Sequence, residues 1–335
     1  MFSNKILLGH GSGGELMHSL IKGLFLKKLH NPILKELSDS ARINYKEKLA
    51  FSTDSFVVSP LFFPGGDIGK LAVCGTINDL VVSGAVPEYL SLAFILEEGL
   101  DYGILEKVVD SLSFHANRAG VCIVTGDIKV VERGACDKIF INTCGIGRIL
   151  KNKKLCVKNI EPADKIILTG GIARHGLAVL AKRKELSLGF NIKSDCAALN
   201  DLILPILKRT DSVKFMRDPT RGGIATTLNE IAQSRRLGII IDEKSIPISA
   251  KVKVASELLG IDPLYIANEG NAVMVVSPDG ADKVLTLLRK HPLGRNAQEI
   301  GVVTRQPKAT VVLKTIVGTQ RIVDMLTSEP LPRIC

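Results

Sequence analysis

Apolar and polar positions along this chain follow two periods, helical and alternating, and the two take turns. From 15 to 29 apolar residues recur at helical spacing, after a small-residue cluster able to cap the helix. KLAFST at 48–53 reads as a short strand running into Asp54. IGKLAVCGTINDLVVSGA (68–85) is apolar on most sides, the pattern of a helix buried against a sheet. LSLAFILEE (90–98) reads as a strand and 101–120 as an amphipathic helix stopped by Gly120. VCIVTGD (121–127) reads as a buried strand ending in a turn, and 137–150 as a further strand. The polar KNKK at 151–154 marks a boundary, after which a strand is predicted at 164–171. Helices follow at 176–186, 196–209, 222–236, 249–260 and 279–290, with strands at 238–242, 271–277, 299–304 and 310–315. This is an α/β (α+β) chain whose hairpin-like later strands predict mixed sheets rather than all-parallel ones. Prolines at 330 and 332 keep the final EPLPRIC out of helix and central strand, so an extended, mobile arm ending in Cys335 is predicted.

Composition narrows the class. With 335 residues, 46% of them hydrophobic, the chain can bury a large core and divide into two domains. No apolar run approaches the roughly 20 residues of a membrane span, and the N-terminus does not read as a signal peptide. A soluble cytoplasmic protein is therefore expected. The formal charge of +10 raises the question of nucleic acid, but tryptophan is absent and aromatics reach only 4%. The basic runs KNKK and KRK (182–184) read as solvated faces, and the surplus charge suits a phosphate-rich ligand or an acidic partner. Seven cysteines show no Cys-x-x-Cys pair, which argues against a local zinc motif. Six read as reduced, packed thiols, while Cys335 stands apart. A terminal thiol is either a frayed accident or a carrier, and prenylation does not fit because its Cys must be fourth from the end.

Four segments carry candidate chemistry. GHGSGG (9–14) places Gly11, Gly13 and Gly14 before a predicted helix, where backbone N–H groups can approach a phosphate. It is not a Walker loop. Asp54, Asp79 and Asp127 end or interrupt apolar elements, positions costly for a carboxylate unless it is paired, capping or bound to a cation. Converging from separate elements, the three suit Mg²⁺ bridging to nucleotide phosphates. Lys129 and Glu132 follow Asp127, where they can stabilise charge and move a proton or simply occupy an exposed loop. RDPTRGG (217–223) offers Arg217 and Arg221 for oxyanions and Gly222 and Gly223 for close backbone approach, with Asp218 or Thr220 as a helix cap. Glu269, in ANEGN, reads as a turn residue.

Taken together these segments resemble the HypE hydrogenase maturation family of the PurM-like (aminoimidazole ribonucleotide synthase-related) superfamily. The resemblance spans almost the whole chain: GHGSGG, FFPGGDIGKLAVCGTINDL, EEG at 97–99, TGD-x-KVVERG, SDCAALN, RDPTRGG, LGIDPLYIANEG, HPLG and the terminal LPRIC. It implies a PurM-like two-domain fold with an ATP-binding domain at 1–155, a second domain at 156–320 and a mobile tail at 321–335. It also implies that a carbamoyltransferase, HypF, loads a carbamoyl group onto Cys335. ATP then phosphorylates the carboxamide oxygen, and loss of phosphate gives a thiocyanate whose cyanide passes to iron on a HypC–HypD complex.

By motif, Asp54, Asp79 and Asp127 hold Mg²⁺ and phosphates, Lys129 stabilises developing charge and Glu132 removes a proton. Arg217, Asp218, Arg221, Gly222, Gly223 and Glu269 are implied to receive the tail, and a homodimer is implied. Three positions depart from the family pattern: Ile128 for Thr, Ala173-Arg174 for Gly-Asp, and Thr319 for Gly. His175 falls in a matching segment without an assigned role. The alternatives at this stage are another PurM-like enzyme, of the selenophosphate synthetase or thiamine-monophosphate kinase type, and a non-catalytic nucleotide-binding scaffold. The first should lack the terminal Cys, and a selenophosphate synthetase would carry a reactive Cys in the Gly-rich loop. The second should lose one of the three aspartates.

Overall fold

Long strands build the first half of the chain in the computed structural model, which describes residues 5–11, 15–35, 43, 45–186, 189–326 and 333–335. Strands β1 (Leu49–Phe56), β2 (Ala85–Glu97), β3 (Cys122–Val131) and β4 (Ile139–Ile149) form a sheet in the order β1-β4-β2-β3. β4 runs antiparallel to both β1 and β2, and β2 runs parallel to β3. Helices α1 (Ile68–Val82) and α2 (Tyr102–Ala119) lie on one face. Asp67 caps α1 by accepting from the Lys70 N–H at 3.0 Å, and Asp101 caps α2 by accepting from the Gly103 N–H at 2.9 Å. α1 is buried on nearly all sides because the second half of the chain covers what the sheet leaves open. Asn78 ties the halves together: its Nδ2 donates to the Ala197 and Glu269 carbonyls, and its Oδ1 accepts from the Leu199 N–H.

Among the described residues the other face of this sheet is largely uncovered. Side chains alternate between faces, so Leu49, Phe51 and Ile95 point away from the helices. They are 41%, 69% and 42% exposed.

The second half carries a larger sheet from β5 (Lys165–Leu168), β6 (Val213–Arg217), β7 (Gly238–Asp242), β8 (Val273–Val276), β9 (Gln298–Thr304), β10 (Val311–Lys314) and β11 (Gln320–Val323). Their order is β11-β10-β7-β9-β5-β8-β6, with β10 parallel to β7 and the remaining pairs antiparallel. Helices α3 (Arg174–Arg183), α4 (Asn200–Arg209), α5 (Gly223–Arg235), α6 (Ala250–Leu259) and α7 (Ala281–Arg289) complete it. The mixed sheets agree with the periodicity. Four features differ from it. β3 runs on through Asp127 to Val131, paired with β2, where a turn at 127 was expected. β6 is a short strand that the alternation did not mark. β11 occupies the start of the segment expected to be a free arm, because Gln320–Val323 pair with β10. The helix expected from 196 begins only at Asn200, after a stretch in which Asn78 takes the Ala197 carbonyl and the Leu199 N–H.

Candidate active site

β1 and α1 each bring a carboxylate to a common point. Asp54 lies on the helix-covered face of β1, where Thr76 Oγ1 of α1 donates to its Oδ2 at 3.1 Å. Three residues further along α1, Asp79 accepts from Ser52 Oγ of β1 at 2.5 Å. Thr76 is also bonded to Thr143 of β4, so the helix is pinned to two strands at this spot. The loop following β6 adds Asp218, whose charge is repelled by Asp79 and Asp54, and Arg221, whose charge partly offsets Asp54. Burial, then the Asp79 carboxylate, push Asp54 up to about 6. The same two causes push Asp218 up to about 7. Glu269 is buried and held well above the carboxylate range by that burial, then by Asp218 and Asp195. Its Oε2 lies 3.9 Å from where a side chain on Gly75 would begin, one turn of α1 before Asp79.

These acids are crowded and short of countercharge. Asp195 Oδ2 accepts from Asn271 Nδ2 at 2.9 Å and from the Gly270 N–H at 3.1 Å, but its buried Oδ1 has no hydrogen-bond partner among the described residues. Hard carboxylate oxygens in mutual repulsion are the donor set that a divalent cation relieves. Among the described residues, no three acidic, His or Cys side chains form a group that could hold a metal ion.

The chain end is seated beside this cluster. The Val57 N–H, one residue past β1, donates to the Cys335 carbonyl at 3.0 Å, and the Ser59 N–H donates to the Arg333 carbonyl at 3.3 Å. Ile334 is buried at 4% exposure, and its carbonyl lies 2.9 Å from His175 Nε2. Arg333 turns outward, donating to the Val57 carbonyl at 3.0 Å, pairing with Asp137 at 2.9 Å and lying over the Phe140 ring. Arg183 donates to the Ser59 carbonyl at 2.7 Å and to the Arg333 carbonyl. The KRK run is thus not merely a solvated face; its arginine clamps the tail. Phe56 packs its ring on Gly75, linking the seat of Cys335 to the Glu269 side of the cluster.

The other predicted residues divide. Asp218, Arg221 and Glu269 join the carboxylate cluster rather than the described contacts of 333–335. Arg217 is turned to Glu230 at 3.0 Å. Gly222 and Gly223 give close approach to the chain itself. A side chain on Gly222 would meet Leu326 at 3.1 Å, and one on Gly223 would lie 2.4 Å from the Leu264 carbonyl. Asp127 does not converge with Asp54 and Asp79 within one chain. It alternates with buried Ile128, so it lies on the open face with Lys129, which it pairs at 3.1 Å. β3 is also three strand spacings from β1, about 14 Å. Glu132 is exposed just past the end of β3, at that same distant edge. Gly11 packs on β3, where a side chain would lie 2.4 Å from the Val130 nitrogen. Gly13 and Gly14 lie outside the described residues. Between the N-terminal helical segment and β2–β3 is a cavity of about 550 Å³, lined by Met17, Phe25, Leu92, Phe94 and Asp127 among others.

Two of the unusual positions have local reasons. Ile128 is buried at 5% exposure, on the face opposite Asp127, so a missing hydroxyl there is not missing from beside the carboxylate. Ala173 adopts a φ of 68°, a conformation natural to glycine, and Arg174 donates to the Lys193 carbonyl at 3.1 Å. Sequence reasoning overlooked Asn78, Asp137, Arg183 and Asp195. For Asp195 the signal was present in SDCAALN; for the other three only the folded contacts give it.

The N-terminal domain of AIR synthase related proteins matches residues 37–149, and the C-terminal domain of the same proteins matches residues 161–314. Carbamoyl dehydratase HypE of Cupriavidus necator is 46% identical over 99% of this chain and 95% of its own length. Carbamoyl dehydratase HypE of Escherichia coli is 46% identical over 99% of this chain and 100% of its own. The crystal structure of hydrogenase maturation protein HypE in complex with ATP superposes with a TM-score of 0.95 at 46% identity, covering 98% of this chain and 99% of that one. A HypE–HypF complex gives 0.81 at 45% identity, over 92% of this chain and 100% of that one. The crystal structure of thiamine-monophosphate kinase from Stenotrophomonas maltophilia shares the fold at 18% identity and a TM-score of 0.66, covering 88% of this chain and 95% of that one. At these identities and coverages the chain belongs to the HypE hydrogenase maturation family, assembled from the two AIR synthase related domains.

Proposed function

We propose that this chain is an ATP-dependent carbamoyl dehydratase that converts an S-carbamoyl group on Cys335 into a thiocyanate, supplying cyanide for the iron of a [NiFe]-hydrogenase. One observation carries the reading. The backbone of Cys335 is hydrogen-bonded to Val57, three residues along the chain from Asp54, so the reacting end is held just past the end of the strand that carries Asp54, about 10 Å along the chain from it. ATP transfers its terminal phosphoryl group to the carboxamide oxygen and leaves as ADP. The phosphorylated carbon is then bound to sulfur, nitrogen and an oxygen that departs as inorganic phosphate. Both N–H protons are lost, one on each side of that intermediate, and the C≡N bond forms as the C–O bond breaks.

Asp54 and Asp79 fit the role of holding Mg²⁺, which when bound would offset the negative charge of the phosphates. Arg221 adds positive charge at the same place. Glu269, kept in its acid form by burial, is a hydrogen-bond donor rather than a base as it stands. Arg333, Ile334 and the donors around them orient the thiol. Asp127, Lys129 and Glu132 lie at the far edge of the sheet and reach such a site only from a second copy. The uncovered face of that sheet, with exposed Ile95 paired to Lys129 and exposed Phe51 on the opposite edge strand, suits that copy. We therefore read the active unit as a homodimer, with Lys129 stabilising charge and Glu132 taking a proton across the interface. HypF is the carbamoyl donor in this reading, and a HypC–HypD complex receives the cyanide. Intact-mass analysis after incubation with HypF, carbamoyl phosphate and ATP tests it. The expected sequence is gain of one carbamoyl group at Cys335, then loss of one water on adding ATP. Absence of any adduct at Cys335 overturns it.

A further inference from the structure

We propose that His175 is a positioning residue, locked by Ser194 in one tautomer, that sets the register at which the chain end stops. His175 is completely buried. Its Nε2 lies 2.9 Å from the Ile334 carbonyl. A carbonyl only accepts, so Nε2 carries the proton and Nδ1 is left as an acceptor. Ser194 Oγ fills that role at 2.9 Å, donating its hydroxyl proton to Nδ1 while it accepts from the Cys196 N–H at 2.9 Å. Ser194 is itself fixed, since its N–H donates to the Pro64 carbonyl at 2.7 Å. The Phe63 ring stands edge-on to the imidazole, with centroids 5.4 Å apart. Burial favours the neutral ring that this arrangement requires, against an opposing pull from the Asp195 charge.

The latch reads backbone rather than side chain. Carbonyls 333, 334 and 335 are taken in turn by Ser59 and Arg183, by His175, and by Val57. Among the described residues of the tail, 333–335, Ile334 is the buried apolar tooth, at 4% exposure. A slip of one residue would pull that side chain from its place and leave an imidazole N–H buried without an acceptor, so only one register satisfies every group. The register in turn decides where the Cys335 thiol stands relative to β1. The consequence for catalysis rests on the dehydratase reading above; the latch itself does not.

The test therefore uses no turnover. In the full-length protein, without nucleotide or partner, the rate of iodoacetamide alkylation at Cys335 is followed by peptide mass mapping, with exposed Cys122 as internal reference. His175→Ala is expected to speed alkylation of Cys335 by roughly five- to tenfold, the loss of one buried hydrogen bond, and to leave Cys122 unchanged. His175→Gln, whose side-chain amide nitrogen can stand near the Nε2 position, should restore most of the protection, whereas His175→Asn should not. Ser194→Ala keeps the imidazole but frees its tautomer and should give an intermediate rate, which preserves the test if His175→Ala folds poorly. An unchanged Cys335 rate in both His175→Ala and Ser194→Ala overturns the proposal. So does equal acceleration at Cys122 with no rescue by Gln, because that marks general loosening.

Discussion

Asp79 is costly where it sits, in an otherwise apolar helix, and its negative charge also raises Asp54 and Asp218. A residue that burdens its neighbours in this way fits the proposed cation role better than a purely structural one. Asp79→Asn is expected to abolish ATP hydrolysis with Mg²⁺ while the melting temperature stays near that of the native protein. Near-normal turnover would remove Asp79 from the site. The raised acids also set a pH dependence. In the unfolded chain Asp54 and Asp218 release protons near 3.8, but in the folded one near about 6 and about 7. Between those values the folded state holds more protons, so the contribution of these groups to stability falls as pH rises from about 4 to 7. Asp218→Asn removes one of them. Thermal melts should show the variant gaining on the native protein as pH rises from 4.5 to 7.5, and a constant difference would contradict the assigned environment.

At the scale of elements, the RDPTRGG turn shows how one signal serves a purpose that sequence alone does not reveal. Gly222 and Gly223 have φ of 64° and 59°, so α5 starts from two left-handed residues. The sequence predicted close backbone approach, and the approach exists, but to the 264–266 loop that leads into Glu269. The turn therefore braces two loops of the site. Gly223→Ala combines an unfavourable φ with a contact of 2.4 Å to the Leu264 carbonyl and is expected to cost more than about 1 kcal/mol in urea unfolding. A native-like midpoint would show that the loop yields freely.

At the scale of the molecule, the separation of Asp127 and Lys129 from Asp54 is the main fact to explain. Asp127 and Lys129 are on the opposite face and far edge of the sheet from Asp54. If two copies share the site, light scattering at micromolar concentration will give a dimer. Phe51→Glu, on the open face, will give a folded monomer without ATP turnover. Mixing Asp79→Asn with Lys129→Ala subunits should then recover activity that neither has alone, since one native site can form in the mixed dimer. A fully active Phe51→Glu monomer would place Lys129 outside the chemistry. The docked end gives a further expectation. Cys335→Ala should block carbamoylation and leave ATP binding intact, whereas residues appended after Cys335 should slow the dehydration step, because the seat at Val57 receives a chain end. An extended protein that dehydrates at the native rate would refute the steric argument.

The sequence by itself determined the existence of the elements wherever burial is periodic: α1, α2 and the four strands of the first sheet follow from apolar spacing and the stop at Gly120, though not the length of β3, which passes the expected turn at 127. It also determined the family, because the Gly-rich loop, the aspartate motifs and the terminal Pro-Arg-Ile-Cys are local strings whose order survives without a structure. It singled out Asp54 and Asp79 because a carboxylate among apolar residues is visible as a local anomaly. Only the tertiary structure decided which anomalies meet. Asp54 and Asp79 face each other across a strand and a helix, while Asp127 is turned away by the alternation of β3 and separated by strand order, a property no local pattern encodes. The seat of Cys335 was equally hidden. Its partners His175, Arg183 and Val57 are separated from it by more than a hundred residues, and they recognise backbone carbonyls, which every residue carries and which therefore leave no mark on the sequence.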